Sequence, residues 1–296
     1  EWIPHEEIMS YENILFLCQV FVELGVKKIR FTGGEPFVRK GFVPFLEEVR
    51  EKLPGLRIAV TTNGTMLEET AGRLSGLGLE SVNVSLDTLD PEKFRHVTVT
   101  GDLEKVIRGI DALCAEKIVP VKINTVAMKH FNDDEVSSVV KFAGERNILA
   151  RFIEFMPLDR DVWSQDKYIS ARDILSLLPV RELWHPCPSA GNSDVCGPSR
   201  YYRNASTGQK VGVISAVSEH FCLLCNRLRV TSVGVVRPCL FGNFGVPVIE
   251  ALRKKDRNSL KKRILEAVAA KPRRGETGIP SEDGLCEERH MSQIGG

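Results

Sequence analysis

The chain has 296 residues, 43% hydrophobic and 27% charged, with 40 Lys and Arg against 39 Asp and Glu and a formal net charge of +1. A chain of this length and composition folds as a globular protein burying about three quarters of its unfolded surface, which excludes a disordered, collagen-like or polyelectrolyte sequence. A charge so near zero offers no overall field to a nucleic-acid backbone, so no nucleic-acid partner is expected and an anionic ligand needs a local cluster of bases.

The longest apolar stretch, residues 14–26, is broken by Gln19 and Glu23. It falls short of the roughly 18 uninterrupted apolar residues of a membrane span, so no membrane association is expected. The sequence opens on Glu1 rather than Met and reads as a processed product or a fragment whose beginning lies upstream. Eight cysteines are too sparse for a disulfide scaffold and point to a reducing compartment with a metal site.

A helix is predicted near residues 5–24. From there to about 157 one theme repeats: a short β-branched run, a turn rich in Gly, Thr, Asn or Ser, then a stretch of helical period. The strands are predicted at 28–32, 57–62, 81–86, 121–127 and 151–155, with helices near 42–52, 66–76, 103–116 and 133–146. Crossover helices imply an α/β fold with a parallel sheet, open or closed into a barrel. The first helix has no strand of its own, which leaves the pattern one strand short at the front. After Met156-Pro157 the theme changes. A short helix near 170–178, a Pro/Gly/Ser-rich loop over 186–199, a strand at 211–217, a hairpin of 228–233 and 235–239 around Gly234, and a basic helix near 246–269 are predicted. The division expected is a first domain over 1–157 and a second over 158–296.

In a parallel βα array the loops after the strand ends gather on one face, where ligands bind. Turn-forming and polar residues mark those ends here: Thr32-Gly33-Gly34-Glu35-Pro36, Thr61-Thr62-Asn63-Gly64, Ser85-Leu86-Asp87, Asn124-Thr125 and Glu154-Phe155-Met156-Pro157. Singly each reads as a tight turn; five in succession point to a site. Lys28, Arg30, Lys122 and Arg151 fall on strands, where alternation can turn them into a basic cavity.

Cys222 and Cys225 are two residues apart and Cys239 follows after thirteen more. Three such thiolates suit an iron–sulfur cubane with one iron left open, or a zinc completed by a histidine such as His220, and the spacing leaves both open. Arg227 and Arg229 between them are suited to gripping a phosphate. Cys18 and Cys114 fall in helical stretches and read as core thiols, while Cys187 and Cys196 lie in the loop. No H-E-x-x-H pattern and no G-K-[ST] phosphate loop occur, which excludes a hydrolytic zinc of that type and a P-loop nucleotidase.

Taken in order, residues 28–36, 61–64, 85–89, 121–124, 151–157 and 221–229 resemble the GTP 3′,8-cyclase family, the radical S-adenosylmethionine enzymes of molybdenum cofactor biosynthesis. The GGEP run alone is superfamily-wide; the C-x2-C-N-R-L-R block and the closing Gly295-Gly296 are more specific. The resemblance implies an incomplete (β/α)6 TIM-like barrel of the radical S-adenosylmethionine type with a C-terminal cluster-binding extension. Such an enzyme cleaves S-adenosylmethionine at one [4Fe-4S] cluster and holds GTP at a second. Carried over, Gly34, Ser85 and Met156 match contacts to S-adenosylmethionine. Arg30, Thr61, Lys122, Arg227, Leu228 and Arg229 match contacts to GTP, and Arg151 a further basic position. Cys222, Cys225 and Cys239 match the second-cluster ligands.

The family's C-x3-C-x2-C triad, ligand of the radical-generating cluster, is absent from this sequence, as is the first barrel strand with its arginine. We read this as truncation, and as it stands the chain is expected not to cleave S-adenosylmethionine. A degenerate nucleotide-binding protein, a non-redox α/β enzyme with a structural zinc, and a radical enzyme acting on peptides with an auxiliary cluster are the alternatives. The resemblance further implies cyclic pyranopterin monophosphate synthase as the downstream partner, an electron donor, a homodimer, and a cytoplasmic or, in a eukaryote, mitochondrial matrix location.

Overall fold

The computed structural model describes residues 3–118, 120–158, 162–188, 197–219, 222 and 225–272, the side chain of His5 excepted. His220, Phe221, Cys196 and the Gly295-Gly296 end lie outside the described residues. The chain forms two compact units, the first of Glu1–Ile58, Leu158–Arg160 and Asn226–Gly296, the second of Ala59–Pro157 and Asp161–Cys225.

In the first unit, α1 (Tyr11–Glu23) starts where the Ser10 hydroxyl accepts from the Asn13 N–H at 3.3 Å, and it buries Leu15, Leu17, Cys18, Val20 and Phe21. The helix therefore begins later than predicted, behind a short 3-10 turn at His5–Glu7. In β1 (Lys28–Phe31) alternation turns Ile29 and Phe31 inward. Ile29 packs on the core, and Phe31 meets Phe42 and Phe45 of α2 (Phe42–Lys52) edge-on, with ring centroids 6.1 and 5.5 Å away. Lys28 and Arg30 take the other side.

A three-stranded antiparallel sheet follows in the same unit, ordered β11 (Val246–Pro247), β10 (Val235–Arg237), β9 (Arg229–Val230). The predicted hairpin is there, turning at Gly234 with φ of +76°, a conformation that favours glycine. The predicted single basic helix is two, α8 (Ile249–Arg253) and α9 (Arg257–Ala269). Lys255 at φ +50° breaks the run, and the Asp256 carboxylate restarts it by accepting from the Ser259 N–H at 3.0 Å. Leu17, Val20, Phe21, Val236, Val248, Leu252, Leu260 and Ile264 close one core between these helices and the sheet.

The second unit carries α3 (Leu67–Leu74), β3 (Ser81–Ser85), α4 (Pro91–Thr98), α5 (Leu103–Ala115), β4 (Val121–Ala127), α6 (Val136–Glu145), β5 (Leu149–Glu154), α7 (Ala171–Ser176), β6 (Trp184–Cys187), β7 (Arg200–Asn204) and β8 (Lys210–Ile214). It also takes β2 (Arg57–Thr62) from Ala59 on. Within this unit the strands run in the order β2-β3-β4-β5-β8-β7-β6. The pairs from β2 to β5, and β5 with β8, are parallel, while β8 with β7 and β7 with β6 are antiparallel. This is the mostly parallel α/β sheet expected of an incomplete TIM-like barrel. Helix α5 presses on the start of α3, and a Cβ at Gly109 would come within 2.9 Å of the Gly64 carbonyl oxygen. No described helix is long and apolar enough to cross a membrane.

Candidate functional site

The parallel register of the second unit sorts its side chains by parity. Val60, Val82, Val84, Val121 and Ile123 are buried on one face, as apolar strand residues under helices must be. The other face is polar. Thr61, Asn83 and Lys122 stand side by side in register across β2, β3 and β4. Two residues along the strands, Ser85, Asn124, Arg151, Gly212 and Tyr201 form a second row across β3, β4, β5, β8 and β7. These rows unite Thr61, Ser85, Lys122 and Arg151, all flagged from sequence.

Arg151 is only 6% exposed, and its guanidinium donates to side-chain oxygens. Its Nε and NH2 reach Asn124 Oδ1 at 3.0 and 2.6 Å, and NH2 reaches Asn83 Oδ1 at 3.0 Å. Asn83 in turn donates to the Val60 carbonyl at 3.2 Å and more weakly to Thr61 Oγ1 at 3.4 Å. Burial lowers the Arg151 pKa, with Tyr201 opposing it. Arginine nonetheless keeps its proton. Gly212 makes the arrangement possible, since a Cβ there would come within 2.5 Å of Ser199 Oγ and 2.9 Å of Arg151 Cγ. The Arg151 cation thus orients the two asparagines beside Thr61 and Lys122, which leaves Lys122 half-open on a polar floor.

Past the ends of β3 and β5 the backbone is pinned by two carboxylates. Asp87 accepts from the Val126 N–H at 2.8 Å, and burial pushes its pKa up to about 6. Glu154, fully buried, accepts from the N–H groups of Ala171, Val217 and Ser218 at 2.6, 2.7 and 2.8 Å and from the Ser218 hydroxyl. Glu154 thereby ties the end of β5, two residues before half-buried Met156, to the stretch leading to Cys222. There the Cys225 N–H donates to the Cys222 carbonyl at 3.1 Å, a single tight turn.

In the first unit Gly34 follows β1 in an exposed loop, and a Cβ built on Gly33 or Gly34 meets nothing within 4 Å. No protein contact demands these glycines, so the open backbone is available to a ligand. Arg30 is exposed beside them on β1. On β9 and its approach, Leu228 and Val230 pack on the core, which puts Arg227 and Arg229 on the opposite face. Any contact of Leu228 with a ligand on that face is therefore through its main chain. Arg229 is directly opposite Arg237 in the antiparallel pair.

Cys222, Cys225 and Cys239 are half-buried and unbridged, the donor type an iron–sulfur cluster takes. Among the described residues, however, no group of three or more His, Cys, Asp or Glu is gathered as a metal site. Cys222 and Cys225 end the second unit and Cys239 belongs to the first. Cys18 is 3% exposed with its thiol pushed up to about 12 by burial, as a core thiol should be. Asn83, Gly212 and Tyr201 were missed from sequence. Asn83 is a polar residue inside an apolar run and two residues from Ser85, a signal that alternation offered.

Residues 1–143 match the Radical SAM superfamily and residues 148–277 match Molybdenum Cofactor Synthesis C. The chain is 39% identical over its whole length to a GTP 3′,8-cyclase from Peptoclostridium acidaminophilum, of which it covers 89%. It is 38% identical to that of Geobacter sulfurreducens, again over 100% of the chain and 89% of the relative. Among solved structures, Streptococcus suis SuiB is 18% identical with a TM-score of 0.48, over 57% of this chain and 39% of that one.

Proposed function

The chain belongs to the GTP 3′,8-cyclase family of radical S-adenosylmethionine enzymes, and on that premise we propose how its residues divide the work of converting GTP to 3′,8-cyclo-7,8-dihydroguanosine 5′-triphosphate, the first step of molybdenum cofactor biosynthesis. The observation that carries the activity is identity of 39% to a GTP 3′,8-cyclase across 100% of the chain.

In this reading Gly34, Ser85 and Met156 contact S-adenosylmethionine, the first through bare backbone. Lys122, Arg30, Arg227 and Arg229 bind the triphosphate, Thr61 and the Leu228 main chain contribute hydrogen bonds, and Arg151 holds the polar rows in shape. Cys222, Cys225 and Cys239 hold a [4Fe-4S] cluster with one iron open for the purine. When bound, S-adenosylmethionine and its own cluster supply the radical that opens the ribose 3′ C–H bond. This sequence contains no C-x3-C-x2-C arrangement, so none of its residues is assigned to that radical-generating cluster. We keep 1–157 as the radical S-adenosylmethionine partial barrel and 158–296 as the cluster- and GTP-binding part. Cyclic pyranopterin monophosphate synthase as the consumer of the product, an external electron donor, a homodimer and a cytoplasmic or mitochondrial matrix location complete the proposal.

The test is equilibrium binding of GTP to the anaerobically reconstituted chain, with Arg227→Ala plus Arg229→Ala as the contrast. Charge-assisted phosphate contacts predict more than a tenfold loss of affinity in the double variant, on the order of 1.5 kcal/mol or more. Equal affinity of the two proteins rules out the assigned triphosphate contacts.

A further inference from the structure

Two cations of the first unit, Lys271 and Arg237, take no part in the assignment above. Lys271 follows the end of α9, and its one ammonium donates to two main-chain carbonyls, Arg227 O at 2.7 Å and Pro238 O at 2.8 Å. Arg227 stands on the approach to β9, and Pro238 is the residue before Cys239. Arg237, more than nine-tenths buried, donates from NH2 to the Gly242 carbonyl on the far side of Cys239. The short loop 238–242 is thus clasped at both ends by positive side chains. It folds tightly, for a Cβ on Gly242 would stand 3.6 Å from the Cβ of Cys239.

The two carbonyls on Lys271 flank neighbouring antiparallel strands, one two residues before β9 and the other just after β10: β9 pairs with β10 through Arg229 opposite Arg237 and Val230 opposite Val236. An ammonium bridging them fixes the spacing of those two strand ends with charge-assisted hydrogen bonds, stronger than neutral ones. One end carries Arg227 and Arg229 and the other carries Cys239. We propose that Lys271, seconded by Arg237, is a positioning residue that clasps the Cys239 loop to the arginine-bearing strand and holds positive charge beside the Cys239 thiolate. The charge-tuning half rests on the reading of Cys239 as a cluster ligand; the clasp does not. Positive charge next to a thiolate-held cluster favours its reduced state, because reduction adds negative charge, so removing Lys271 lowers the reduction potential.

Lys271→Met keeps the aliphatic stem and removes the donors, and Lys271→Arg restores a cation. In the metal-free chain, amide hydrogen exchange of peptides spanning 236–242 is expected to quicken about tenfold in Lys271→Met and to recover in Lys271→Arg. After anaerobic reconstitution with iron and sulfide, the potential of Lys271→Met is expected to fall by a tenfold change in the reduction equilibrium, about 59 mV for one electron. Exchange over 236–242 at the wild-type rate in Lys271→Met overturns the clasp, with or without iron. Faster exchange with an unchanged potential overturns the tuning. A wild-type chain that takes up no iron overturns the cluster reading and the tuning together, and the exchange result still decides the clasp.

Discussion

Arg151→Met removes the cation that organises the polar face of the second unit. The guanidinium serves two acceptors, Asn124 Oδ1 and Asn83 Oδ1, through contacts of 2.6 to 3.0 Å. Each acceptor stranded in a buried setting costs about 1–3 kcal/mol, so the two together cost about 2–6 kcal/mol. Part of this is offset, because the native side chain carries a charge at 6% exposure and methionine does not. The net loss expected is about 2–3 kcal/mol, a large share of the roughly 5–15 kcal/mol that a folded protein has. Arg151→Lys keeps the charge but offers no planar fork, so it should recover only part of the loss. Urea unfolding followed by tryptophan emission reads mainly the right unit, since two of the three tryptophans, Trp163 and Trp184, belong to it. A midpoint for Arg151→Met that corresponds to within about 0.5 kcal/mol of wild type would refute the reasoning, because it would mean the asparagines find other donors at no cost.

Glu154→Gln should cost about 2–4 kcal/mol, since one of two oxygens that accept from three N–H groups and a hydroxyl becomes an NH2 facing donors; urea unfolding checks it. Asp87 has a folded pKa pushed up to about 6 from 3.8, so the folded state binds the extra proton. Its contribution makes stability fall as the pH rises from about 4 to 6, by at most about 3 kcal/mol. Asp87→Asn should flatten that part of the stability profile; a profile unchanged by the substitution contradicts the shift. Cys222→Ser or Cys225→Ser should abolish iron uptake on reconstitution, whereas Cys18→Ala, at a thiol pushed up to about 12, should leave it intact; iron analysis separates them.

Much of the second unit was legible because β-branched runs bounded by turn residues mark its strands, and one of them alternates strictly. In β4 residues 121–127 the buried positions alternate with half-open ones, and the predicted bounds match the observed ones. The same alternation carried Thr61, Ser85, Lys122 and Arg151 to one face. Helix α4 was missed although its signal is present. Asp90 caps it, accepting from the Glu92 and Lys93 N–H groups at 2.8 and 2.9 Å, and Pro91 opens it. The end of strand β6 overlaps the loop expected over 186–199, and Pro186 is tolerated in it because the strand stands at one end of the sheet order. The Arg151 network and the Lys271 clasp could not be read from spacing, since each joins residues far apart in the chain through side-chain reach rather than periodicity.

Iron, sulfide and zinc counted per chain after anaerobic reconstitution, with spectra recorded before and after adding GTP, test the central claim most directly. About four irons per chain with a GTP-dependent spectral change is the predicted result, one cubane on Cys222, Cys225 and Cys239 open to the nucleotide. Stoichiometric zinc, or iron whose spectrum ignores GTP, would contradict it.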